Sequence, residues 1–288
     1  MKIVTYNIQF GLGRDGHSNL KRIAQAVDGA DIIALQEVER NWQHSGNVDQ
    51  PHLLGQILKN YYWVYGPHFD VDASIRNPDG TVTNNRRQFG NMILSKTPIQ
   101  SMRLFTLPKS PVNEQHNMTV GMTEAVIDLG SGRAIRVYNA HLSAKSANDR
   151  IRQIHTLRSI IKRAPAEGGA WTGVGPPPIW GEDAVAPPMP EDFILLGDFN
   201  LLPIGPEYTH LIRADAGECD LVDCWVLAGH GRDEGITFPA NPQGQQRIDL
   251  TFVAPQMQSR VMDTRIDDKA AGSDHQPYWI ELGNAPHD

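Results

Sequence analysis

The sequence predicts an α+β fold in which mixed β-sheets carry helices on their outer faces. Three observations predict it: two strand-then-helix units open the chain, a run of mainly β-hairpins follows, and βα and ββ units return toward the C-terminus. The 288 residues are 40% hydrophobic and 20% charged, enough to bury a full core. No linker separates two cores, so one domain over residues 1–288 is expected.

Residues 2–8 read as the first strand, followed by a Gly-rich turn and a helix near 18–28. Leu20, Ile23, Ala24 and Val27 recur there at helical spacing, and Ser18 or Asn19 can cap it. A second strand covers 31–36, and a helix near 51–59 carries Leu53, Leu54, Ile57 and Leu58. Strands are then expected near 61–66, 89–95, 98–106, 118–129 and 133–141. Asn77-Pro78-Asp79-Gly80 and Gly130-Ser131-Gly132 supply turns among them. One long helix, about 145–163, places Ile151, Ile154, Leu157, Ile160 and Ile161 on one face. Further strands fall at 192–197, 236–238, 247–254, 259–266 and 276–282. Residues 164–191 stand apart as an insertion with seven prolines, five glycines, Trp171 and Trp180, a composition that excludes regular structure. The helix before the insertion runs back from His141, so the insertion should begin and end at the pole opposite that residue. A surface excursion or partner contact is its simpler reading; substrate contact is the alternative.

The net charge of −7 argues against a broad non-specific grip on nucleic acid, though a local basic patch is compatible with it. No run is long enough to span a bilayer, and Met1-Lys2-Ile3-Val4 opens a strand rather than a signal peptide, so a cytoplasmic location is expected. Cys219 and Cys224 could form a disulfide or half a metal site, but in that compartment inert core thiols are the simpler reading. Gly11-Leu12-Gly13-Arg14-Asp15-Gly16, with Glu37 ending the next strand, imitates a dinucleotide-binding fingerprint. Asn7-Ile8-Gln9-Phe10 separates strand from glycines, and Asp15 to Asn19 reads as turn and cap, which counts against it.

The chemistry sits at strand ends. Asn7, Glu37, His141, Asp198 with Asn200, and Asp249 each follow or interrupt an apolar run, and Ser273-Asp274-His275 precedes the last strand. If these converge, four carboxylates would repel in a partly dry site. A divalent cation resolves that, and oxygen ligands without thiolates favour Mg²⁺ or Mn²⁺ over Zn²⁺. Acyl transfer fits less well, since there is no Gly-x-Ser-x-Gly elbow. Asp249 in an apolar strand needs a partner, whereas His116, His155, His210 and His230 lie outside the motifs and read as ordinary residues.

Tyr6-Asn7, Leu35-Gln36-Glu37-Val38, Ala140-His141-Leu142, Gly197-Asp198-Phe199-Asn200, Arg247-Ile248-Asp249 and Ser273-Asp274-His275 occur in the order seen in the endonuclease/exonuclease/phosphatase superfamily, which the chain resembles from residue 2 to about 282. The resemblance implies a four-layer α/β/β/α sandwich of two packed mixed sheets flanked by helices, and a metal-dependent phosphoesterase. It implies that Glu37 ligates the metal with Asn7 beside it, and that Asp274 completes that region or a second metal position. Asp198 would orient or deprotonate the attacking water, Asn200 would hold a phosphate oxygen, and His275 would stabilise developing charge with its tautomer set by Asp249. His141 would contact the phosphate or protonate the leaving oxygen. Rim loops 8–17, 38–50 and 67–88 offer Arg14, Arg40, Trp42, His44, Arg76, Arg86 and Arg87, of which Arg40 and Arg87 are the candidates for substrate contact. With no long basic stripe and no apolar membrane hairpin evident, a small-molecule or lipid-derived phosphodiester is the expected substrate. Nucleic acid is the rival, then a phosphomonoester, then a non-catalytic scaffold.

Overall fold

Runs of branched and aromatic residues form fourteen strands in the computed structural model, which describes residues 1–111, 116–170, 172, 186–239 and 244–284. They are β1 (Lys2–Asn7), β2 (Ile32–Arg40), β3 (Tyr62–Asp72), β4 (Ile75–Arg76), β5 (Val82–Thr83), β6 (Arg86–Ser95), β7 (Ile99–Thr106), β8 (Gly121–Gly130), β9 (Arg133–His141), β10 (Phe193–Asp198), β11 (Val222–Asp223), β12 (Asp249–Val253), β13 (Val261–Ile266) and β14 (Tyr278–Leu282). The helices are α1 (Leu20–Ala26), α2 (Gln50–Ile57), α3 (Ala147–Glu167), α4 (Pro206–Ile212) and α5 (Cys224–Leu227). One six-stranded sheet has the order β13-β14-β1-β2-β6-β3, the other β11-β12-β10-β9-β8-β7, and β4 pairs with β5 alone. Both large sheets are mixed: β1 and β2 run parallel, as do β9 and β10, while their other neighbours are antiparallel.

Alternation along each strand decides what lies where. On β1, Val4 and Tyr6 pack with Ile33 and Leu35 of β2 against Ile23 and Ala24 of α1 and Leu54 of α2. Ile3 joins Ile32 and Ala34 in the inter-sheet core with Ala125, Ile135, Val137 and Leu196, on the face of the second sheet that also carries Asn139. Ile154, Leu157 and Ile161 of α3 pack on the second sheet, giving helix, sheet, sheet and helix layers. The sheets are also tied by polar groups one residue or two below the rim. Asn139 donates to Leu35 O at 2.9 Å and Met92 O at 3.0 Å, and its own Oδ1 accepts from Gln36 Nε2 at 2.7 Å. Fully buried and bonded to each other, these amides tie one sheet to the other, although Gln36 Oε1 has no partner among the described residues.

Several sequence-based boundaries need correction. β2 does not stop at residue 36: a bulge between Leu35 and Val38 carries it to Arg40, so residues 38–40 are strand rather than loop. β3 runs on to Asp72, and β4 and β5 occupy part of the expected 67–88 loop. The strand expected at 236–238 is an isolated bridge, Phe238 to Gln246, and residues 118–120 precede β8. Two short helices, α4 and α5, escaped a reading that relied on longer periodic runs. The Pro/Gly-rich insertion begins later than residue 164, because α3 continues to Glu167 with Pro165 inside it. Proline removes the amide that would bond the carbonyl four residues back. Here the buried Arg136 side chain supplies that donor, its Nη1 lying 2.9 Å from Ile161 O. The centre of the insertion, with Trp171 and Trp180, lies outside the described residues. Its described flanks meet the starts of β9 and β10, where Arg136 Nη2 donates to Glu191 O at 3.2 Å.

Asn19, not Ser18, caps α1, accepting from Lys21 N and Arg22 N. Cys219 and Cys224 are free and buried, and burial raises both thiols above their usual range. Among the described residues no helix is long and apolar enough to cross a membrane.

Candidate active site

The parallel pair β9–β10 places Asp198 opposite His141, and the antiparallel pair β10–β12 places it opposite Asp249. In the other sheet, β1 delivers Asn7 level with Gln36, one residue before Glu37. Four strand ends from two sheets therefore meet at one rim. Backbone conformation aims the side chains. Glu37 sits in the β2 bulge at φ +58°, and Asn200 lies at φ +52°, both in the left-handed region that branched or bulky residues avoid. Gly197 at φ +140° approaches β9 so closely that a Cβ would collide with Ala140 O, and only glycine fits before Asp198.

Asn7 is the link between the sheets. Its Nδ2 lies 3.1 Å from Glu37 Oε1 and 2.9 Å from Asp198 Oδ2. Its Oδ1 accepts from Gln9 N at 3.0 Å, which sets the orientation of the amide. His141 Nε2 lies 3.7 Å from Asp198 Oδ2 and 4.0 Å from Glu37 Oε1. From the other side, His275 Nε2 is 3.7 Å from the same Asp198 oxygen, and its Nδ1 is bonded to Asp249 Oδ2 at 2.8 Å. Asn200 closes the group: its backbone N donates to Asp198 Oδ1 at 2.9 Å and its Nδ2 to Leu142 O at 3.1 Å. Ser273 Oγ lies 2.8 Å from Asn7 O and 3.2 Å from Asp274 Oδ1, which fastens the Ser273–His275 turn beside β1. Thr237 and Phe238 serve the same group without forming a strand. Thr237 Oγ1 accepts from Asp249 N at 3.1 Å, and the Phe238 ring lies 4.7 Å from the His275 ring.

Burial raises Glu37, Asp198 and Asp274 above the usual carboxylate range, and for Asp198 the charge on Asp249 adds to it. Burial also lowers the His141 imidazole, favouring its neutral form. His275 goes the other way: burial opposes its charge, but Asp249, Asp198 and Asp274 together outweigh burial and raise it. Three strained carboxylates around one imidazolium describe a site short of positive charge. Only Oε1 of Glu37 and Oδ1 of Asp274 have partners among the described residues. A hard oxygen donor on each therefore remains for a divalent cation, and this donor set fits Mg²⁺ or Mn²⁺.

All eight motif residues thus lie in one connected group, with Glu37 in a bulge within β2 rather than at its end, while the two arginines stand outside its contacts. Arg40 is committed elsewhere, with Nε 2.9 Å from Asp49 Oδ1, Nη1 3.1 Å from Gln88 Oε1 and the guanidinium over the Tyr65 ring. Arg87 lies over the Trp42 ring and bonds Asn41 O through Nε, so its Nη groups have no partner among the described residues. His116, read as ordinary, lines a pocket next to Glu37 and His141 together with Phe89, Met118, Val120 and Leu142. Beyond Glu37 and His141, only Leu142, the last residue of the Ala140-His141-Leu142 motif, carried a sequence signal for that position. His155 gathers with Asp215 and Glu218 on the far side of α3, where Arg158 Nε, 3.5 Å from Glu218 Oε2, already supplies positive charge.

Two six-stranded mixed sheets packed face to face and flanked by helices make a four-layer α/β/β/α sandwich, with a carboxylate, amide and imidazole group at one rim. The chain belongs to the Endonuclease/Exonuclease/phosphatase family, whose sequence profile matches residues 4–170. Members of this family are hydrolases. No curated protein shows significant sequence similarity to it. Among solved structures, an endonuclease/exonuclease/phosphatase from Bacteroides vulgatus aligns with a TM-score of 0.69 at 18% identity, covering 99% of this chain and 98% of that one. A mannosyl-6-phosphatase from Bacteroides thetaiotaomicron aligns with a TM-score of 0.64 at 18% identity, covering 99% of this chain and 100% of that one. A 3′ phosphatase from Neisseria, bound to product DNA hairpin, aligns with a TM-score of 0.55 at 18% identity, again over 99% and 100%. At these identities the likeness concerns the fold.

Proposed function

We propose that the protein is a Mg²⁺- or Mn²⁺-dependent hydrolase of a small-molecule or lipid-derived phosphodiester, acting by water attack on phosphorus. One observation carries the reading: a single Asn7 amide touches both Glu37 and Asp198, while His275 is held between Asp198 and Asp249. Glu37 and Asp274 would hold the cation, with Asn7 beside them. When bound, the cation supplies charge neutralisation at the phosphate oxygens. Asp198 orients the attacking water and takes its proton, a role that suits a carboxyl raised by burial. The water oxygen bonds to phosphorus as the ester P–O bond breaks. His275, kept charged by its carboxylate neighbours, stabilises the negative charge on the phosphate oxygens, and Asn200 holds one of them. His141, favoured in its neutral form, contacts the phosphate; protonating the leaving oxygen would need the imidazolium, which burial disfavours. Arg87 is the better placed rim cation for an anionic substrate, because Arg40 serves Asp49 and Gln88.

A nuclease is the second reading. Trp42 under Arg87 offers a surface on which a base could stack, and a DNA-bound 3′ phosphatase shares the fold. The net charge of −7 counts against it. The test is a panel of bis-(p-nitrophenyl) phosphate, plasmid DNA and phospholipid substrates with Mg²⁺ or Mn²⁺. Faster turnover of the small diester supports the proposal, and DNA nicking that outpaces it promotes the nuclease. Inactivity throughout, with Glu37→Ala leaving metal affinity unchanged, points to a scaffold.

A further inference from the structure

Beside Glu37 and His141 opens a pocket of about 190 Å³ whose walls are largely apolar: Phe89, Met118, Val120, Leu142 and Ala144. Phe89, Val120 and Leu142 are buried, and the Phe89 ring stands 6.0 Å from the His141 ring. The walls come from two loops pinned to the first turns of α3. Asp149, fully buried, accepts from Ser110 N at 3.1 Å and from Asn117 Nδ2 at 3.0 Å. Gln153 accepts from Ser143 N at 2.9 Å and donates to Pro108 O at 2.9 Å. The pocket is therefore preformed rather than a gap between independent loops.

Of its polar lining, Asn117 and Ser143 are spent on that pinning, His116 and Lys145 are exposed, and Glu37 and His141 belong to the rim group. The Asn117 amide nitrogen is held by Asp149, and Ser143 Oγ accepts from Ser146 N at 3.3 Å. A nucleobase edge or a sugar ring buried against these apolar walls would lose water without gaining enough partners. Size narrows the choice further. An apolar cavity of about 150 Å³ accepts a benzene-sized ring, so this one accommodates a single ring or a compact branched alkyl group and not an extended acyl chain.

We propose that this pocket is a substrate subsite that takes a ring-sized, uncharged apolar ester arm, so that the phosphoester acted on carries an aryl or compact alkyl group on the Glu37–His141 side. The inference builds on the phosphoesterase reading above. Isothermal titration of the full chain in Mn²⁺ with phenylphosphonate and methylphosphonate tests it, since the two share an oxyanion and differ in the ring. Phenylphosphonate should bind at least about tenfold more tightly, from the apolar area it buries. Ala144→Trp, at an exposed position of the lining, should cut that preference to less than about threefold, a difference of well under 1 kcal/mol of apolar burial, with methylphosphonate affinity retained. Met118→Gln should reduce the preference in the same direction. Equal affinity for the two ligands, or a preference untouched by both variants, overturns the subsite and leaves the phosphoesterase reading standing. Failure of both ligands to bind overturns both.

Discussion

Glu37 and Asn200 hold left-handed backbone conformations, at φ +58° and +52°, and both belong to the clustered rim. Each costs on the order of 1 kcal/mol or more, which the surrounding hydrogen bonds must offset. Such strain is tolerable where it aims a side chain, as the β2 bulge aims Glu37 at Asn7. Two predictions belong at this scale. Asp198→Asn and His275→Ala should each lower turnover at least about 10²-fold with the fold intact by circular dichroism, since one loses the proton acceptor and the other the charge stabiliser. Near wild-type turnover in either removes that residue from the mechanism. His68, packed against Gly121 beside the His141 strand but outside the proposed catalytic group, provides a pH test. Buried with Nε2 unpartnered, it is lowered by burial from 6.5 to about 4. A depressed histidine leaves stability complete above pH 6.5 and lost as pH falls toward 4, because only the unfolded chain takes up the proton. Relative to His68→Phe, the wild type should lose about 2 kcal/mol more between pH 7 and pH 5 in urea unfolding. Parallel pH profiles would refute the assignment.

Helix α3 shows how an element can outrun its sequence signals. Its N-terminus is capped by Ser146, whose side chain accepts from Asp149 N, and its early turns hold the loops beside His141 through Asp149 and Gln153. Its C-terminal turn survives Pro165 because Arg136 reaches from β9 to the carbonyl that proline leaves open. Arg136→Met should therefore destabilise by about 2 kcal/mol, chiefly by leaving the buried Ile161 carbonyl without its donor. Pro165→Ala restores a local amide for Ile161 O. Its benefit should be about 1 kcal/mol larger in the Arg136→Met background than in the wild type, read from a double-mutant cycle in chemical denaturation. Additive effects would show that Arg136 does not substitute for the missing amide.

At the scale of the molecule, the rim joins two sheets whose polar strand ends repel one another. Asn139, Gln36 and Asn7 hold the sheets in register just below and at that rim. Burial then leaves Glu37, Asp198 and Asp274 with raised proton affinity and too little positive charge among them. A cation that binds only the folded state stabilises it by mass action, about 2.7 kcal/mol at a hundred times its dissociation constant. Mn²⁺ should thus raise the melting temperature of the wild type and have much less effect on Glu37→Gln. An equal shift in both would place the metal elsewhere.

Much of this was legible in the residues. Alternating and helical apolar spacing marked most of the longer strands and helices, because period and burial are set locally by backbone geometry. Motif order pointed to Asn7, Glu37, His141, Asp198, Asn200, Asp249, Asp274 and His275, since polar groups ending apolar strands need a common place to go. Tertiary structure alone decided the rest. Whether Arg40 is free depends on Asp49 and Gln88, whether Pro165 ends a helix depends on Arg136, and whether His116, Phe89 and Met118 face His141 depends on loops pinned to α3. Local spacing encodes which face of an element is buried, but the partner that meets it comes from chain distant in sequence, and only packing brings the two together.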